Sequence, residues 1–236
     1  DEAIALTGTH SVPKACFNFN GAGNQITGLN FPDQVFSIDF EGGNKVTLSK
    51  PVQIWAYGDD IRGNPYIHVK NNTTLDLGSH SITSSAEWGN TSFSLDAGSG
   101  IVTAHPGGIS SMKTGNLVGY GAIRTNNTTY SSAANYHYNG APGQFSGCFV
   151  TTPADPPGTY RVHDLIIDET NPGQLLLCQD FKPLIVTGDY QGDYVHDSNY
   201  GYVDHRPTLP VTLSYFNGYF NGFDSVMMQW ETQSET

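Results

Sequence analysis

An all-β chain built as a parallel stack of short strands is predicted from three observations. Apolar residues alternate with polar ones over spans of only four or five positions, helical spacing is missing throughout, and one long stretch recurs in diverged form. In chain order the alternation runs through Phe17, Phe19 and Ile26, then Phe36, Ile38 and Phe40, then Val46 with Leu48 and Val52 with Ile54. It continues through Ile67 with Val69, Leu75 with Leu77, Ile82, Phe93 with Leu95, Ile101 with Val102, Leu117 with Val118, and Ile123. Period two over such short spans means strand. Glycine-bearing polar stretches such as AGSG and HPGG separate the strands, and Asn20-Gly21 and Asn139-Gly140 read as hairpin or tight-turn signals.

The recurrence is specific in order if loose in detail. FNFNGAGNQITG at 17–28 matches YHYNGAPGQFSG at 136–147 at a constant offset of 119, so that Phe17 and Phe19 fall on Tyr136 and Tyr138, and Gln25 on Gln144. FSIDFEGGNKVTLS at 36–49 then matches LIIDETNPGQLLLC at 165–178 at an offset of 129, and Lys50-Pro51-Val52 is answered by Lys182-Pro183-Leu184. The ten extra residues lie in the proline-rich CFVTTPADPPGTYR, a stretch suited to a surface loop. Each copy therefore reads as strand, Asn-Gly turn, strand, polar turn, strand, and a Lys-Pro step into a further strand.

Two architectures suit such strands, a parallel β-solenoid and, as the alternative, an antiparallel β-sandwich. TTLDLGSHSIT and SFSLDAGSGIVT favour the solenoid, because each holds a strand with inward leucine, a glycine corner and a second strand within about one rung. Residues 1–188 are accordingly expected to form one repeat-built β domain, with copies at about 9–54 and 128–186 and linking rungs at 55–127. Residues 189–236, rich in Tyr and Asp, are expected to form an atypical C-terminal cap or a small sheet, with turns at Asn217-Gly218 and Asn221-Gly222. The closing ETQSET reads as a frayed end or as the start of further chain.

The two copies resemble a pattern found in large secreted and surface proteins of gliding and gut-dwelling Bacteroidetes. There an aromatic-x-aromatic-x-G-x-x-Q-x-x-G segment leads into a strand ending in Ile-Asp, a V-x-L segment and a Lys-Pro step. The counterparts here are FNFNGAGNQITG with SIDFEGGNKVTLSKPVQI, and YHYNGAPGQFSG with IIDETNPGQLLLCQDFKPLIV. The resemblance covers about residues 9–188. It implies a solenoid-like, non-catalytic module of a cell-surface adhesin or matrix protein and carries over no catalytic residue. The proline-rich insertion, the three cysteines and the Tyr/Asp-rich tail depart from the pattern and leave room for a filament subunit or a sugar-binding protein.

Composition narrows the partners. Of 236 residues, 37% are hydrophobic and only 14% charged, and 22 acidic against 10 basic residues give a net charge of −12. That balance opposes phosphate backbones, so nucleic acid is not expected as a partner. No apolar run reaches the length of a membrane span, so membrane insertion is not expected either. A neutral surface of Asn, Thr, Ser, Gly and Tyr points to an extracellular or cell-surface location, compatible with a processed N-terminus at Asp1. Cys16, Cys148 and Cys178 fit no zinc or haem spacing; they read as buried small hydrophobes, or as one disulfide with a free thiol.

Reactive motifs are missing: no G-x-S-x-G, H-E-x-x-H, phosphate-binding or dinucleotide fingerprint occurs, so no enzyme and no cofactor is expected. Like subunits or surface glycans are the expected partners. Tyr66, Trp88, Tyr190, Tyr194 and Tyr200 are the candidates for stacking on sugar faces, with Trp55 read instead as packing. Asp189, Asp193, Asp197 and Asp204 are candidate oxygen ligands for calcium, although their spacing matches no defined calcium loop and solvated acids are the plainer reading. Tyr215, Phe216, Tyr219 and Phe220 form a candidate assembly face on an open sheet edge. The overlapping Asn-x-Ser/Thr sites at the two NNTT segments read as polar corner turns.

Overall fold

The computed structural model describes residues 15–55, 64–84, 90–109, 121–140, 144, 146, 160–168, 183–192, 202–206, 212–220 and 226–233. The chain divides into two compact units, Asp1–Arg206 and Pro207–Thr236. In the first unit every strand pairing among the described residues is parallel, and successive turns of the chain lie strand on strand as a β-solenoid. Antiparallel sandwich packing does not occur there among the described residues.

Rung one supplies β1 (Cys16–Phe19), β2 (Gln25–Ile26) and β3 (Gln34–Val35); rung two supplies β4 (Ser37–Phe40), β5 (Lys45–Thr47) and β6 (Val52–Ile54). Rung three holds β7 (Tyr66–Val69), β8 (Thr74–Asp76) and β9 (Ile82–Ser84), and rung four β10 (Ser92–Leu95), β11 (Gly100–Thr103) and β12 (Ile123–Arg124). Then follow β13 (Asn127–Tyr130) and β14 (Asn135–Tyr138), β15 (Tyr160–Val162) and β16 (Leu165–Ile167), β17 (Pro183–Val186) and β18 (Tyr190–Gln191), and β19 (Tyr202–His205). Sheet one is ordered β1-β4-β7-β10-β13, sheet two β18-β16-β14-β11-β8-β5-β2 and sheet three β12-β9-β6-β3. A further sheet, β15-β17-β19, serves the later rungs.

Alternation makes these strands because one face of each sheet is buried while the other, in β7, β10 and β14, stays partly exposed. Phe19, Phe40, Val69, Leu95 and Tyr130 lie in register down sheet one, all inside. Val46, Leu75, Ile101, Tyr136 and Leu165 do the same in sheet two, and Val52, Ile82 and Ile123 in sheet three. Each such side chain contributes about 1.5–3 kcal/mol by leaving water. Ring contacts follow the stacking, with Phe19 on Phe40 at 5.2 Å and Tyr130 edge-on to Tyr136 at 6.4 Å.

The corner from sheet one to sheet two is a four-residue turn. Thr73 N donates to Lys70 O, Ser99 N to Asp96 O and Ala134 N to Ser131 O, closing three successive corners alike. The third corner residue is Gly43, Asn72 and Gly98 in three consecutive rungs, with φ of 69°, 58° and 73°. Only glycine and asparagine adopt that left-handed conformation cheaply. Asn71 and Asn72 of the first NNTT segment are thus corner residues as expected. The second is different: Asn127–Tyr130 is strand β13, and Asn126 instead accepts a hydrogen bond from the Thr91 hydroxyl at 2.6 Å.

The matched segments share a local conformation but not a place in the coil. In both, a strand runs into Asn-Gly, and the glycine amide donates to a glutamine side chain four residues on: Gly21 to Gln25 at 3.2 Å, Gly140 to Gln144 at 2.8 Å. In both, the first strand lies parallel beside the later one, β1 beside β4 and β14 beside β16. Yet the first pair stands in sheet one and the second in sheet two. Neither Asn-Gly closes a hairpin; Asn20-Gly21 is a corner between two sheets, since a parallel coil has no antiparallel partner to turn back upon. The Lys-Pro steps do lead into strands, β6 and β17.

The second unit holds an antiparallel pair, β20 (Thr212–Phe220) with β21 (Val226–Gln233). Asn217-Gly218, expected as a turn, lies inside β20, because pairing continues past it: Asn217 stands opposite Gln229 and Gly218 opposite Met228. Asn221-Gly222 lies outside the described residues.

Gln144 is buried and also donates to Thr103 O at 3.0 Å and His105 O at 2.9 Å, whereas Gln25 is only partly buried and makes the single glycine bond. Gln144→Ala removes three buried hydrogen bonds, although Thr103 O and His105 O keep Asn139 N and Gly108 N as backbone donors, and is expected to cost about 1–3 kcal/mol in urea unfolding, against less than about 1 kcal/mol for Gln25→Ala. Equal losses for the two variants would contradict this account of the recurrence.

Candidate functional site

The outward side chains of sheet one form a continuous polar ladder. Asn18, Asp39, His68, Ser94 and Thr129 stand in register on successive rungs. Beside them, Lys70 Nζ lies 3.1 Å from Asp39 Oδ1 and 2.9 Å from Glu41 Oε2. The Tyr66 hydroxyl donates to Asp39 Oδ2 at 3.0 Å, Asn18 Nδ2 donates to Glu41, and His68 Nε2 is 2.9 Å from Asp96 Oδ1. Hydrogen bonding to Lys70, then to Asn18, holds the Glu41 carboxyl below its usual range; partial burial, then the bond to Asp39, pushes the Tyr66 phenol up. Each contact joins a rung to its neighbour. Single exposed pairs of this kind add only about 0–1 kcal/mol, so the ladder acts as register-setting cross-links rather than as a source of stability.

Sheet two presents a different outer face. Thr74, Gly100 and Asn135 are register neighbours, and so are Val102, His137 and Ile166 in the column beside them. Around Gly100 these residues and Asp164 line an open depression of about 200 Å³. The Lys45–Asp76 ion pair, at 2.6 Å, stands next to it on β5 and β8. Burial holds the His137 imidazole below its ordinary pKa, so it is neutral at pH 7.

A third polar cluster is buried at the end of β11. His105 N donates to Thr103 Oγ1 at 3.1 Å, Gly107 N donates to His105 Nδ1 at 3.0 Å, and Gly108 N donates to His105 O at 2.8 Å. Burial, assisted by the nearby Arg124 charge, lowers the His105 pKa. Its Nδ1 must be an acceptor, which only the neutral ring provides. These bonds make the histidine a member of the turn that ends β11.

Among the residues singled out by sequence, Tyr66 is half-buried on β7 and engaged with Asp39, so its ring is no open platform. Tyr190 on β18 is half-buried with its ring 5.7 Å from that of His205. Trp55, partly buried, follows β6 and donates its amide to Val35 O at 2.9 Å. Asp189 is exposed and gives its amide to Asp164 Oδ1 at 2.8 Å, while Asp204 Oδ2 accepts from Arg206 Nε at 2.8 Å. Tyr215, Phe216, Tyr219 and Phe220 lie along β20, opposite Glu231, Trp230, Met227 and Val226. Trp88, Tyr194, Tyr200, Asp193 and Asp197, with Cys148 and Cys178, lie outside the described residues. Cys16 is an exposed free thiol on β1.

Among the described residues no group of three or more His, Cys, Asp or Glu side chains is arranged to hold a metal, and no helix is long and apolar enough to cross a membrane. Sequence reasoning missed the Gly100 depression. Its one local signal was a glycine opening the strand GIVT, since glycine within a strand often marks a place where something else approaches.

The lowered His105 pKa has a definite sign. The unfolded imidazole takes up its proton near pH 6.5, the folded one only at lower pH, so the unfolded chain binds more protons in between and stability falls as the pH is lowered through that window. Unfolding free energy measured in urea is expected to decrease from pH 7.5 to pH 5, and His105→Asn, which keeps an acceptor for Gly107 N, is expected to shrink that decrease. Superimposable pH profiles for the two proteins would refute the assignment.

No protein family, curated protein or solved structure matches this chain.

Proposed function

We propose that this chain is a non-catalytic structural or adhesive module of an extracellular or cell-surface protein, of the kind its internal recurrences resemble. The observation that carries the reading is the fate of the reactive groups on sheet one. Asp39, Glu41, Tyr66, His68, Lys70 and Asp96 are spent on one another across rungs. A hydrolase or lyase on such a coil needs acids held apart from their neutralising partners and converging on a substrate. Here each carboxylate of the ladder has a cation or donor already in contact. What the unit offers to its surroundings is a stiff polar surface, which suits display and attachment.

The test is attachment under flow. Beads carrying the protein are expected to be retained on glycan- or matrix-coated surfaces well above beads carrying the same protein unfolded by heat. Equal retention would remove the adhesive reading, and turnover of any member of a polysaccharide panel would remove the non-catalytic one.

A second reading, self-assembly, is supported by the hairpin β20–β21. It pairs only with itself among the described residues, and two isolated strands are marginal in water. Like subunits are the partner this reading requires. Sedimentation of the full chain over a concentration series is expected to show association that Phe216→Lys with Phe220→Lys abolishes. A monomer at every concentration would exclude it.

A further inference from the structure

We propose that the outer face of sheet two carries a binding subsite for a single neutral sugar ring, seated over Gly100. The space is the first argument. Lys45, Thr74, Gly100 and Asn135 follow one another in register, and only Gly100 lacks a side chain, which opens a hole one rung deep between Thr74 and Asn135.

Neither of the usual reasons for glycine applies at this position. Gly100 does not have the left-handed φ of Gly43 or Gly98. The atoms nearest a Cβ placed on it would be Thr74 Oγ1 at 3.3 Å, Asn135 O at 3.4 Å and Asn135 Cβ at 3.5 Å, close contacts but not overlaps. At Gly140, by contrast, a Cβ would stand 2.6 Å from Ala104 O. What the glycine of β11 supplies is room.

The lining supplies the chemistry. The His137 imidazole and the Thr74 hydroxyl have no hydrogen-bond partner among the described residues, and both belong to the wall of the depression. A neutral imidazole offers one donor and one acceptor, and a hydroxyl offers both. Asp164 Oδ1 accepts from Asp189 N and lies 2.8 Å from His163 Nδ1, which orients the carboxylate and leaves Oδ2 as an acceptor. Asn135 is held by Gly98 O and by His163, each at 3.2 Å. Val102 and Ile166 complete the lining with apolar surface.

Fixed donors and acceptors around an apolar patch match a ring with hydroxyls on its rim and C–H groups on its face. Other ligands fit less well. Anions meet Asp164 and Asp168, with the nearby cation Lys45 already paired to Asp76, on a chain of net charge −12. Calcium wants six to eight oxygens, and the depression has one carboxylate. A wholly apolar ligand would leave the polar rim buried and unpaired. The volume is below the roughly 300–1,000 Å³ of pockets for drug-sized molecules, so one ring fills it, and the open mouth lets that ring belong to a longer chain.

This inference goes beyond display and stands without it, since binding in solution requires neither attachment nor assembly. The experiment is calorimetric or NMR titration of the full chain with the methyl glycosides of glucose, galactose and mannose, and with N-acetylglucosamine. At least one is expected to bind with a Kd of about 1–10 mM. Gly100→Thr, which repeats the residue of the rung before it, is expected to weaken that binding about tenfold or more with the thermal midpoint preserved. His137→Leu is expected to act in the same direction, and it carries the test should Gly100→Thr fail to fold. Absence of binding by all four sugars, or binding unchanged in the variants, overturns the proposal.

Discussion

The structure depends on one constraint, the constant length of the corner joining sheet one to sheet two. Cys16 pairs with Ser37 and Gln25 with Val46, both 21 residues on; Ser37 pairs with Tyr66 and Lys45 with Thr74, both 29 on. Tyr66 with Ser92 and Thr74 with Gly100 are both 26 apart, and Ser92 with Asn127 and Gly100 with Asn135 both 35. A single residue gained or lost in any of these corners would turn the side chains of the strand it leads into to the wrong face. Length variation is therefore confined elsewhere. Sheet three shows it: Gln34 pairs with Gln53 at 19, Val52 with Ile82 at 30 and Ile82 with Ile123 at 41.

Fixed register also explains how a chain with 37% hydrophobic residues fills a core. The interior is a narrow column, so two inward positions per strand suffice, and the outward positions are free to be polar. Parallel sheets in other folds are covered on both faces and lose alternation. Among the described residues the outward positions of β7, β10 and β14 stay partly exposed, and the alternation survives in their burial. The backbone is satisfied by the rungs above and below, at about 4.8 Å spacing, which leaves the side chains of each outer column close enough to bond one another.

Much of this was legible in the sequence. SFSLDAGSGIVT is strand, corner, strand, and the wider alternation located most of the inward residues. The long-period recurrence was legible as local conformation, in the Gln25 and Gln144 brackets, but not as position, because Phe17 and Tyr136 occupy different sheets. The structural period is one rung, and its length changes from turn to turn, so no constant offset can express it. The two NNTT segments show the same limit: identical residues form a corner at Asn71 and Asn72 and a strand at Asn127, since the surrounding register decides. The Gly100 depression was invisible for the same reason. Thr74, Gly100 and Asn135 become neighbours only once the register is known.

The two outer faces differ in how that proximity is used. On sheet one the columns bring opposite charges together, and Lys70 between Asp39 and Glu41 saturates what would otherwise be free carboxylates. On sheet two a missing side chain interrupts the column, and beside the gap the Thr74 hydroxyl and the His137 imidazole have no hydrogen-bond partner among the described residues. A subsite of one ring is weak by itself, since a few hydrogen bonds and a small apolar contact offset little more than the loss of translational freedom. In the adhesive module proposed above, weakness is no defect. Many copies on one surface facing a polymer of repeated sugars gain through effective concentration what each lacks alone, while remaining individually reversible. The parallel register serves that regime, because it holds the walls of the proposed subsite in one arrangement, so that every copy would present it in the same way.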